Sequence, residues 1–372
     1  MKNETKNSVL LERMNDFNIS MNERLDAARE FKKTAVQDLK SVCEVDLHCH
    51  SFFSDGFDSP AMRVCEAWRR KMKGLSVIDH DVFDGEIEAI EAGKIFGIEI
   101  VPGIEFYTNR SGIEIIGYFP DHTHFKKQLG NDIFTPVIEE LRRAKTIQLS
   151  AMMARIPECF AKFGLENASL TAEDIELHVR NGISAKGDIS VMLWEKYGSF
   201  LSENNIAVDV KEVQAKITTK ANMIDVPLQT TVDLSPEQVI KRILSYGGVP
   251  VLPHPAELRN KEGLSNAQIW ETICELASFG LEGIEVDGFR NGTCPECGQQ
   301  QTDIFDQMRL KWNSLNPDRK PLLRTNGSDN HNQPCEAWLK LGCGKNNNLR
   351  PEFGKLDIIH ILRERQKLMF NL

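Results

Sequence analysis

Short apolar runs alternate with amphipathic stretches in two parts of the chain, and this alternation predicts strands followed by helices. The predicted strands cover residues 45–48, 75–78, 98–101, 113–116, 249–252, 281–286 and 322–325. The predicted helices between them cover residues 61–73, 84–96, 267–279 and 303–315. Strands that alternate with helices are typical of a parallel sheet with helices on its faces. The expected fold class is therefore α/β.

The same pattern divides the chain into five predicted segments. They are an N-terminal helical extension (1–42), the first part of the α/β domain (43–120), a helical insertion (121–245), the second part of the domain (246–345) and a C-terminal tail (346–372). Within the insertion, Val137, Leu141, Ala144 and Met152 share one face of a helix that Pro157 and Gly164 disturb or end.

Composition limits the possible classes of function. The chain has 372 residues, a formal net charge of −9 and no apolar run of about 18 residues that could span a membrane. This acidic balance argues against broad binding to extended nucleic acid, but it leaves room for a local site. The nine cysteines are scattered, and the N-terminus lacks the basic and apolar regions of a signal peptide. We therefore expect a cytoplasmic protein with reduced thiols and no membrane partner.

Side chains that bind metal ions follow the predicted strands. His48 and His50 lie two residues apart on an extended segment, so they point to the same face, and Asp55 follows closely. Later strands are followed by further candidate ligands: His80, Glu105, His254, Asp329 and His331. The carboxyl ends of parallel strands meet at one edge, so these groups are expected to converge.

Imidazole nitrogen and carboxylate oxygen suit Zn²⁺, Mn²⁺ or Fe²⁺. The number of candidate ligands exceeds what one ion needs, so we predict two or three ions. A single histidine at a strand end is more often hydrogen-bonded than metal-bound. The other histidines, which lack such neighbours, are therefore expected to be structural: His122, His124, His178 and His360.

These clusters belong to motifs that resemble the PHP family, the polymerase and histidinol phosphatase metal-dependent phosphoesterases. The motifs are His48-Cys49-His50-Ser51 with Ser54-Asp55-Gly56, Ile78-Asp79-His80-Asp81, Pro102-Gly103-Ile104-Glu105, Ile116-Gly117-Tyr118, Gly248–Pro255 and Gly327-Ser328-Asp329-Asn330-His331. Over about residues 43–345, their order and spacing are similar to the branch that hydrolyses nucleotide phosphates and trims RNA 5′ ends.

The resemblance implies a distorted (β/α)₇ barrel, TIM-like, with a centre of two or three Mn²⁺, Fe²⁺ or Zn²⁺ ions. It also implies that Glu105 bridges two ions and that a metal-bridging hydroxide attacks phosphorus, with Asp55, Glu105 and Asp329 in catalytic roles. The implied ligands are His48, His50, Asp55, His80, Glu105, His254, Asp329 and His331.

Two positions depart from the family pattern. Glu114 stands where the family usually has a histidine; it can still bind the ion through oxygen, but it favours harder cations. Ala185-Lys186-Gly187-Asp188 occupies the place of a Gly-Arg-x-His stretch. Lys186 is the expected substrate-binding residue, although it lacks the bidentate fork of arginine. Asp188 would repel an anion.

A CxxC motif, Cys294-Pro295-Glu296-Cys297, lies in the loop after the strand at 281–286. One CxxC supplies half of a structural zinc site. Cys335 and Cys343 could complete the site in space, but their spacing fits no standard pair. Two free thiols in a loop are the simpler interpretation.

The expected function is hydrolysis of phosphate esters of a small molecule, with a nucleotide as the expected substrate. The enzyme alternatives are a histidinol-phosphate phosphatase, which the helical insertion disfavours, and a 5′→3′ exoribonuclease, which the acidic balance disfavours. The non-enzyme alternative is a binding module that retains metal without turnover. The insertion begins and returns beside ligand-bearing strands, so we expect it to form a lid.

Overall fold

The computed structural model describes residues 2–171, 173–175, 186–220, 222–332, 339–345 and 347–371. The strands within these ranges are β1 (Val45–Cys49), β2 (Gly74–Val77), β3 (Glu99–Ile100), β4 (Gly103–Tyr107), β5 (Glu114–Tyr118), β6 (Val249–Leu252), β7 (Gly283–Gly288), β8 (Leu323–Gly327), β9 (Leu339–Lys340) and β10 (Gly344–Lys345).

Helices connect these strands and extend the chain at both ends. They are α1 (Lys2–Met14), α2 (Met21–Thr34), α3 (Pro60–Arg69), α4 (Glu86–Phe96), α5 (His122–Gly130), α6 (Thr135–Ala161), α7 (Lys186–Glu203), α8 (Val210–Val213), α9 (Pro236–Ser245), α10 (Ala256–Asn260), α11 (Asn266–Phe279), α12 (Gln301–Leu315) and α13 (Asp357–Phe370). A π-helical turn, Gln214–Thr218, continues α8.

Two main sheets carry the fold. Strands β1, β2 and β3 form a parallel sheet, and β4 to β8 form a second sheet in chain order. Isolated bridges join the two sheets, one between Cys49 and Asn330 and one between His80 and Glu105. In the second sheet, β6, β7 and β8 are parallel, whereas β5 is antiparallel to both of its neighbours.

The expectation of a purely parallel sheet is therefore wrong at β5. Only residues 108–113 connect β4 to β5, and a connection this short can form a hairpin but not the crossover that a parallel pair needs. The expectation that Glu105 lies just beyond the end of a strand is also wrong. The backbone turns at Val101-Pro102, where proline cannot donate a ladder hydrogen bond, and Glu105 lies in the middle of β4.

The C-terminal helix α13 covers the amino-terminal ends of several strands. Its Ile358, Ile359 and Leu362 belong to one buried cluster with Val45 of β1 and Val249 of β6. This apolar packing fills the space between the strands at their amino-terminal ends. The polar candidate ligands lie toward the opposite, carboxyl ends of the strands.

The helical segment between β5 and β6 contributes to two separate cores. The first half of α6 packs into the main core through Ile138 and Leu141, and its second half packs into a second core through Met152 and Ile156. Helix α6 runs through Pro157 and ends at Ala161. This one helix therefore connects the main domain to the remainder of the helical segment.

Candidate metal centre

Glu105 lies at the centre of a group of four buried histidines. Its Oε2 atom lies 3.3 Å from His48 Nε2, 3.3 Å from His50 Nε2 and 3.4 Å from His80 Nδ1. Its Oε1 atom lies 3.0 Å from His254 Nε2. One carboxylate thus contacts four imidazoles, as a ligand that bridges two ions would.

Three groups of ligand atoms in this centre are compact enough to hold an ion, and neighbouring groups share a residue. Each group has its ligand atoms within 4.8 Å of one another. The groups are His50, Asp55, His80 and His331; His48, His50 and Asp329; and His48, Glu105 and His254. The structure therefore brings together all eight ligands implied by the resemblance.

The ninth predicted ligand, Glu114, also lies at the centre. Its Oε2 atom is 3.0 Å from His254 Nε2. Glu114 is the first residue of β5, and because β5 is antiparallel to β6, its amino end reaches the edge where β6 ends. The strand direction that the sequence pattern failed to predict is thus what places Glu114 beside His254.

Three residues in the loops around the centre have unusual backbone conformations. Asp81, His254 and Asp329 have φ angles of 58°, 28° and 49°, in the left-handed region that non-glycine residues seldom adopt. In this conformation the Asp329 amide donates a hydrogen bond to the His48 carbonyl, with 2.8 Å between the atoms. Such strain clusters at functional sites, where surrounding structure holds it in place.

Hydrogen bonds at the rear of two imidazoles define which nitrogen faces the centre. His48 Nδ1 lies 2.8 Å from Glu285 Oε2, and His331 Nδ1 lies 2.9 Å from the Asp329 carbonyl oxygen. Both oxygens accept hydrogen bonds, so each neutral imidazole carries its hydrogen on Nδ1. The lone pair on Nε2 then faces carboxylates: Glu105 for His48, and Asp55, at 3.3 Å, for His331.

This donor set fits divalent cations. Lone pairs and carboxylate oxygens facing each other at such distances repel unless a positive charge lies between them. The ligand atoms are nitrogen and oxygen, as expected for Mn²⁺, Fe²⁺ or Zn²⁺. Glu285 and the Asp329 carbonyl supply the rear hydrogen bonds that orient histidine ligands in metal sites.

Carboxylates and imidazoles within the centre shift one another's pKa values. Burial would raise the pKa of Glu105, but the imidazoles of His48 and His80 outweigh it and hold that pKa well below its usual value. Burial would lower the pKa values of His50 and His254, but hydrogen bonds to carboxylates raise both to about 10. Carboxylate charge and imidazole protons therefore stabilise each other, and cations entering the centre would displace the protons.

Sequence reasoning missed the charged residues that contact the candidate ligands from behind. Arg290 donates to Asp329 Oδ2 from Nε at 3.0 Å and from Nη2 at 2.7 Å, and its Nη1 lies 2.9 Å from Glu257 Oε1. Glu285 is buried inside β7. Glu285 could have been found from the sequence, because a charged residue between Ile284 and Val286 in a buried strand needs a polar partner. Arg290 lies in a loop and gave no such signal.

The helical segment reaches residues beside the centre through the buried Lys145 of α6. Lys145 Nζ lies 2.7 Å from Asp81 Oδ2 and 4.8 Å from the centre of the Tyr107 ring. The Tyr107 ring stacks on His80, with 4.3 Å between the ring centres. Sequence reasoning missed this link because its members come from three separate segments.

The expected substrate-binding residue, Lys186, forms an ion pair. Its Nζ atom pairs with Asp225 Oδ1 at 2.5 Å, within the helical segment. Ala185, His178 and Cys335, to which the sequence also drew attention, lie outside the described residues. Of the histidines expected to be structural, His122 bonds the Ile100 carbonyl at 2.6 Å and His360 is exposed.

Comparisons with known proteins agree with the predicted family. Residues 46–192 match the family model described as the PHP domain. The 5′-3′ exoribonuclease of Haemophilus influenzae is 26% identical over 303 residues, which are 80% of this chain and 92% of that protein. The 3′,5′-nucleoside bisphosphate phosphatase of Chromobacterium violaceum is 24% identical over 312 residues, which are 81% of this chain and 91% of that protein.

A solved structure from Bifidobacterium adolescentis, described as a metal-dependent phosphoesterase, has a similar fold. It superposes with a TM-score of 0.63 at 23% sequence identity and covers 86% of this chain and 96% of its own. Within the described ranges, none of the helices combines the length and apolar character needed to span a bilayer.

The match to the PHP domain and the similar hydrolases indicate a metal-dependent phosphoesterase, and the prediction of an enzyme is confirmed. Residues 46–192 match the PHP domain, as the motifs predicted.

Proposed function

We propose that this enzyme hydrolyses a phosphate ester of a nucleotide at the centre built around Glu105. The observation that carries the proposal is the contact of this one carboxylate with four imidazoles, flanked by Asp55, Glu114 and Asp329. Such a set can hold two or three divalent ions, with Glu105 shared between them. Phosphoryl transfer depends mainly on positioning and charge stabilisation, which this arrangement supplies.

The two sheets together form a distorted (β/α)₇ barrel in this proposal. If β3 and β4 are counted as the two halves of one bent strand, the sheets contain seven strands. The bridges Cys49–Asn330 and His80–Glu105 then close the circle on both sides. The candidate ligands lie at one rim of this barrel, which is where active sites of (β/α) barrels are built.

Bound cations would neutralise phosphoryl oxygens and lower the pKa of a water molecule. Residues around the candidate ligands hold those ligands in position. Glu285 orients His48, and Arg290 keeps Asp329 ionised and directed inward. Lys145 and Tyr107 brace His80 from the side of the helical segment, which supports a role for residues 121–245 as a lid over the centre.

A nucleotide is the expected substrate because the similar proteins of C. violaceum and H. influenzae are named for nucleotide or RNA hydrolysis. The test is release of phosphate from a 3′,5′-nucleoside bisphosphate by the Mn²⁺-loaded protein. His80→Ala should abolish release, whereas His360→Ala, an exposed histidine, should leave it unchanged. Equal activity of His80→Ala and wild type would contradict the proposal.

Cleavage of RNA from its 5′ end is a second candidate function, favoured by the similarity to the H. influenzae exoribonuclease over 92% of its length. The same samples would be incubated with a 5′-phosphorylated oligoribonucleotide. Release of mononucleotides from this RNA, with little phosphate from the bisphosphate, would favour the exoribonuclease. The reverse pattern would favour the phosphatase.

A further inference from the structure

Two cationic side chains beside the metal centre share one buried carboxylate. Glu257 of α10 is 3% exposed, and its Oε1 atom lies 2.9 Å from Arg290 Nη1. Its Oε2 atom lies 2.5 Å from Nζ of Lys261, which follows Glu257 by one helical turn. Arg290 comes from the loop after β7. Two separate segments thus bring a guanidinium group and an ammonium group to the same place.

Both cations lie close to candidate ligands of the metal centre. Arg290 donates to Asp329 Oδ2 from Nε and from Nη2. Burial would lower the pKa of Lys261, but the negative charges of Glu114 and Glu257 raise it above its usual value. Burial would also lower the pKa of Arg290, but neighbouring carboxylates, including that of Glu114, outweigh it. The two cations therefore lie on the side of the centre that Glu114 and Asp329 form.

Each of these cations can still donate to a ligand that arrives from solvent. Arginine carries more N–H groups than the three that Arg290 directs at Asp329 and Glu257, and 31% of its side chain is exposed. The side chain of Lys261 is 52% exposed. Lys145, on the other side of the centre, differs because its side chain is 5% exposed. Of these three cations, Arg290 and Lys261 are the two that a substrate can reach.

The balance of charge at this side of the centre favours an anion once metal ions are bound. Arg290 and Lys261 lie near three carboxylates, which belong to Asp329, Glu114 and Glu257. Bound ions would neutralise the two candidate ligands, Asp329 and Glu114, and leave Glu257 to balance both cations. Guanidinium and ammonium groups with excess positive charge are the usual partners of phosphate oxygens.

We propose that Arg290 and Lys261 bind a second phosphate group of the substrate, next to the phosphate that the metal ions hold. This inference rests on the proposed hydrolysis and narrows its substrate class to phosphate esters that carry another phosphate. A nucleoside bisphosphate and the 5′ end of an RNA both meet this condition, whereas a nucleoside monophosphate does not. Lys261 isolates the effect, because Arg290 also positions Asp329.

The experiment compares adenosine 3′,5′-bisphosphate with adenosine 3′-monophosphate and adenosine 5′-monophosphate on the Mn²⁺-loaded full chain. Lys261→Gln should raise KM for the bisphosphate roughly tenfold, the usual effect of losing one hydrogen bond between charged groups, with little change in kcat. It should have little effect on the KM of either monophosphate. Lys261→Arg, which keeps the positive charge, should retain most of the affinity for the bisphosphate.

Lys241→Gln is the matched control. Lys241 pairs with Glu237 at the same spacing of four residues and the same distance of 2.5 Å, but on the exposed surface of α9. This variant should behave as the wild type with all three nucleotides. Equal KM values of Lys261→Gln and Lys241→Gln for the bisphosphate would overturn the proposal. An equal rise in KM for bisphosphate and monophosphates in Lys261→Gln would also overturn it.

Calorimetric titration separates this inference from the proposed hydrolysis. His80→Ala, which should not release phosphate, would be titrated with the bisphosphate and with each monophosphate, with and without Lys261→Gln. We expect tighter binding of the bisphosphate, and loss of that preference in the double variant. If the wild type releases no phosphate, the proposed hydrolysis fails, and the same titration of the wild type still tests phosphate binding. Equal affinity for bisphosphate and monophosphates would overturn the inference even if hydrolysis occurs.

Discussion

Glu285 accepts hydrogen bonds from two parts of the metal centre at once. Its Oε2 atom accepts from His48 Nδ1 at 2.8 Å, and its Oε1 atom accepts from the His254 amide at 3.2 Å. Glu285→Gln leaves one oxygen for these two donors, because the other position becomes an NH₂ group. We expect Mn²⁺ affinity to fall roughly 10- to 100-fold, which is the usual effect of losing a residue that hydrogen-bonds to a metal ligand.

A competition titration with a fluorescent chelator would measure this loss. Glu271→Gln is the matched control, since Glu271 is exposed on α11 and undergoes the same chemical change. Equal Mn²⁺ affinity of Glu285→Gln and Glu271→Gln would show that Glu285 does not orient His48.

We expect Glu114 to influence which cation the centre prefers. Its carboxylate lies 3.0 Å from His254 Nε2, at a position where the family usually has histidine. Replacement by imidazole would remove a negative charge and supply a softer donor. We therefore expect Glu114→His to shift the ratio of Zn²⁺ to Mn²⁺ affinity toward Zn²⁺, and Glu114→Ala to weaken both.

Metal content after dialysis against equal concentrations of Mn²⁺ and Zn²⁺ would measure this ratio. If Glu114→His and Glu114→Ala both retain the wild-type ratio and the wild-type metal content, Glu114 is not a ligand.

The N-terminal helices α1 and α2 are part of the main core. Arg24 of α2 and Glu88 of α4 form a buried ion pair with 2.6 Å between the charged atoms, and Arg24 also lies over the ring of Phe52, two residues after His50. Directly after α1, Asn15 Nδ2 donates at 2.8 Å to Asp58, at the end of the loop that carries Asp55. This extension therefore supports the loop that carries two candidate ligands, His50 and Asp55.

Arg24→Met should lower the free energy of unfolding by about 3–5 kcal/mol, because Glu88 would remain buried without its cationic partner. Arg29→Met is the matched control. Arg29 and Asp26 pair at the same distance of 2.6 Å, but both side chains are more than half exposed, so its loss should cost under about 1 kcal/mol. Urea denaturation would measure both, and similar losses in the two variants would contradict a buried role for Arg24.

Periodicity predicted the elements that are regular and missed those that depend on tertiary contacts. The helix at 84–96 and the strand at 249–252 match α4 and β6 closely, because each has an apolar pattern of its own. The antiparallel direction of β5 depends on a short loop, and the bend before β4 depends on Pro102. The packing of α13 against the strands depends on contacts far apart in sequence.

At the scale of the whole molecule, the candidate ligands could be predicted because each is a polar residue close to the end of an apolar run. His48, His80 and His254 are examples, and the structure brings them to one carboxylate. Residues that act through others, such as Arg290 and Lys145, could not be predicted, since their partners come from different segments. The number of ions also depends on spatial distances that the sequence does not contain.

The central claim is that one centre both binds several divalent ions and hydrolyses phosphate esters. Its most direct test is elemental analysis of the Mn²⁺-reconstituted chain, combined with phosphate release from a nucleotide before and after chelation. Mn²⁺ reports this centre because it prefers oxygen and nitrogen ligands to thiolates. The account predicts two or three equivalents of Mn²⁺ per chain and release that stops when the metal is removed. Less than one equivalent of bound Mn²⁺, or release unaffected by the chelator, would contradict it.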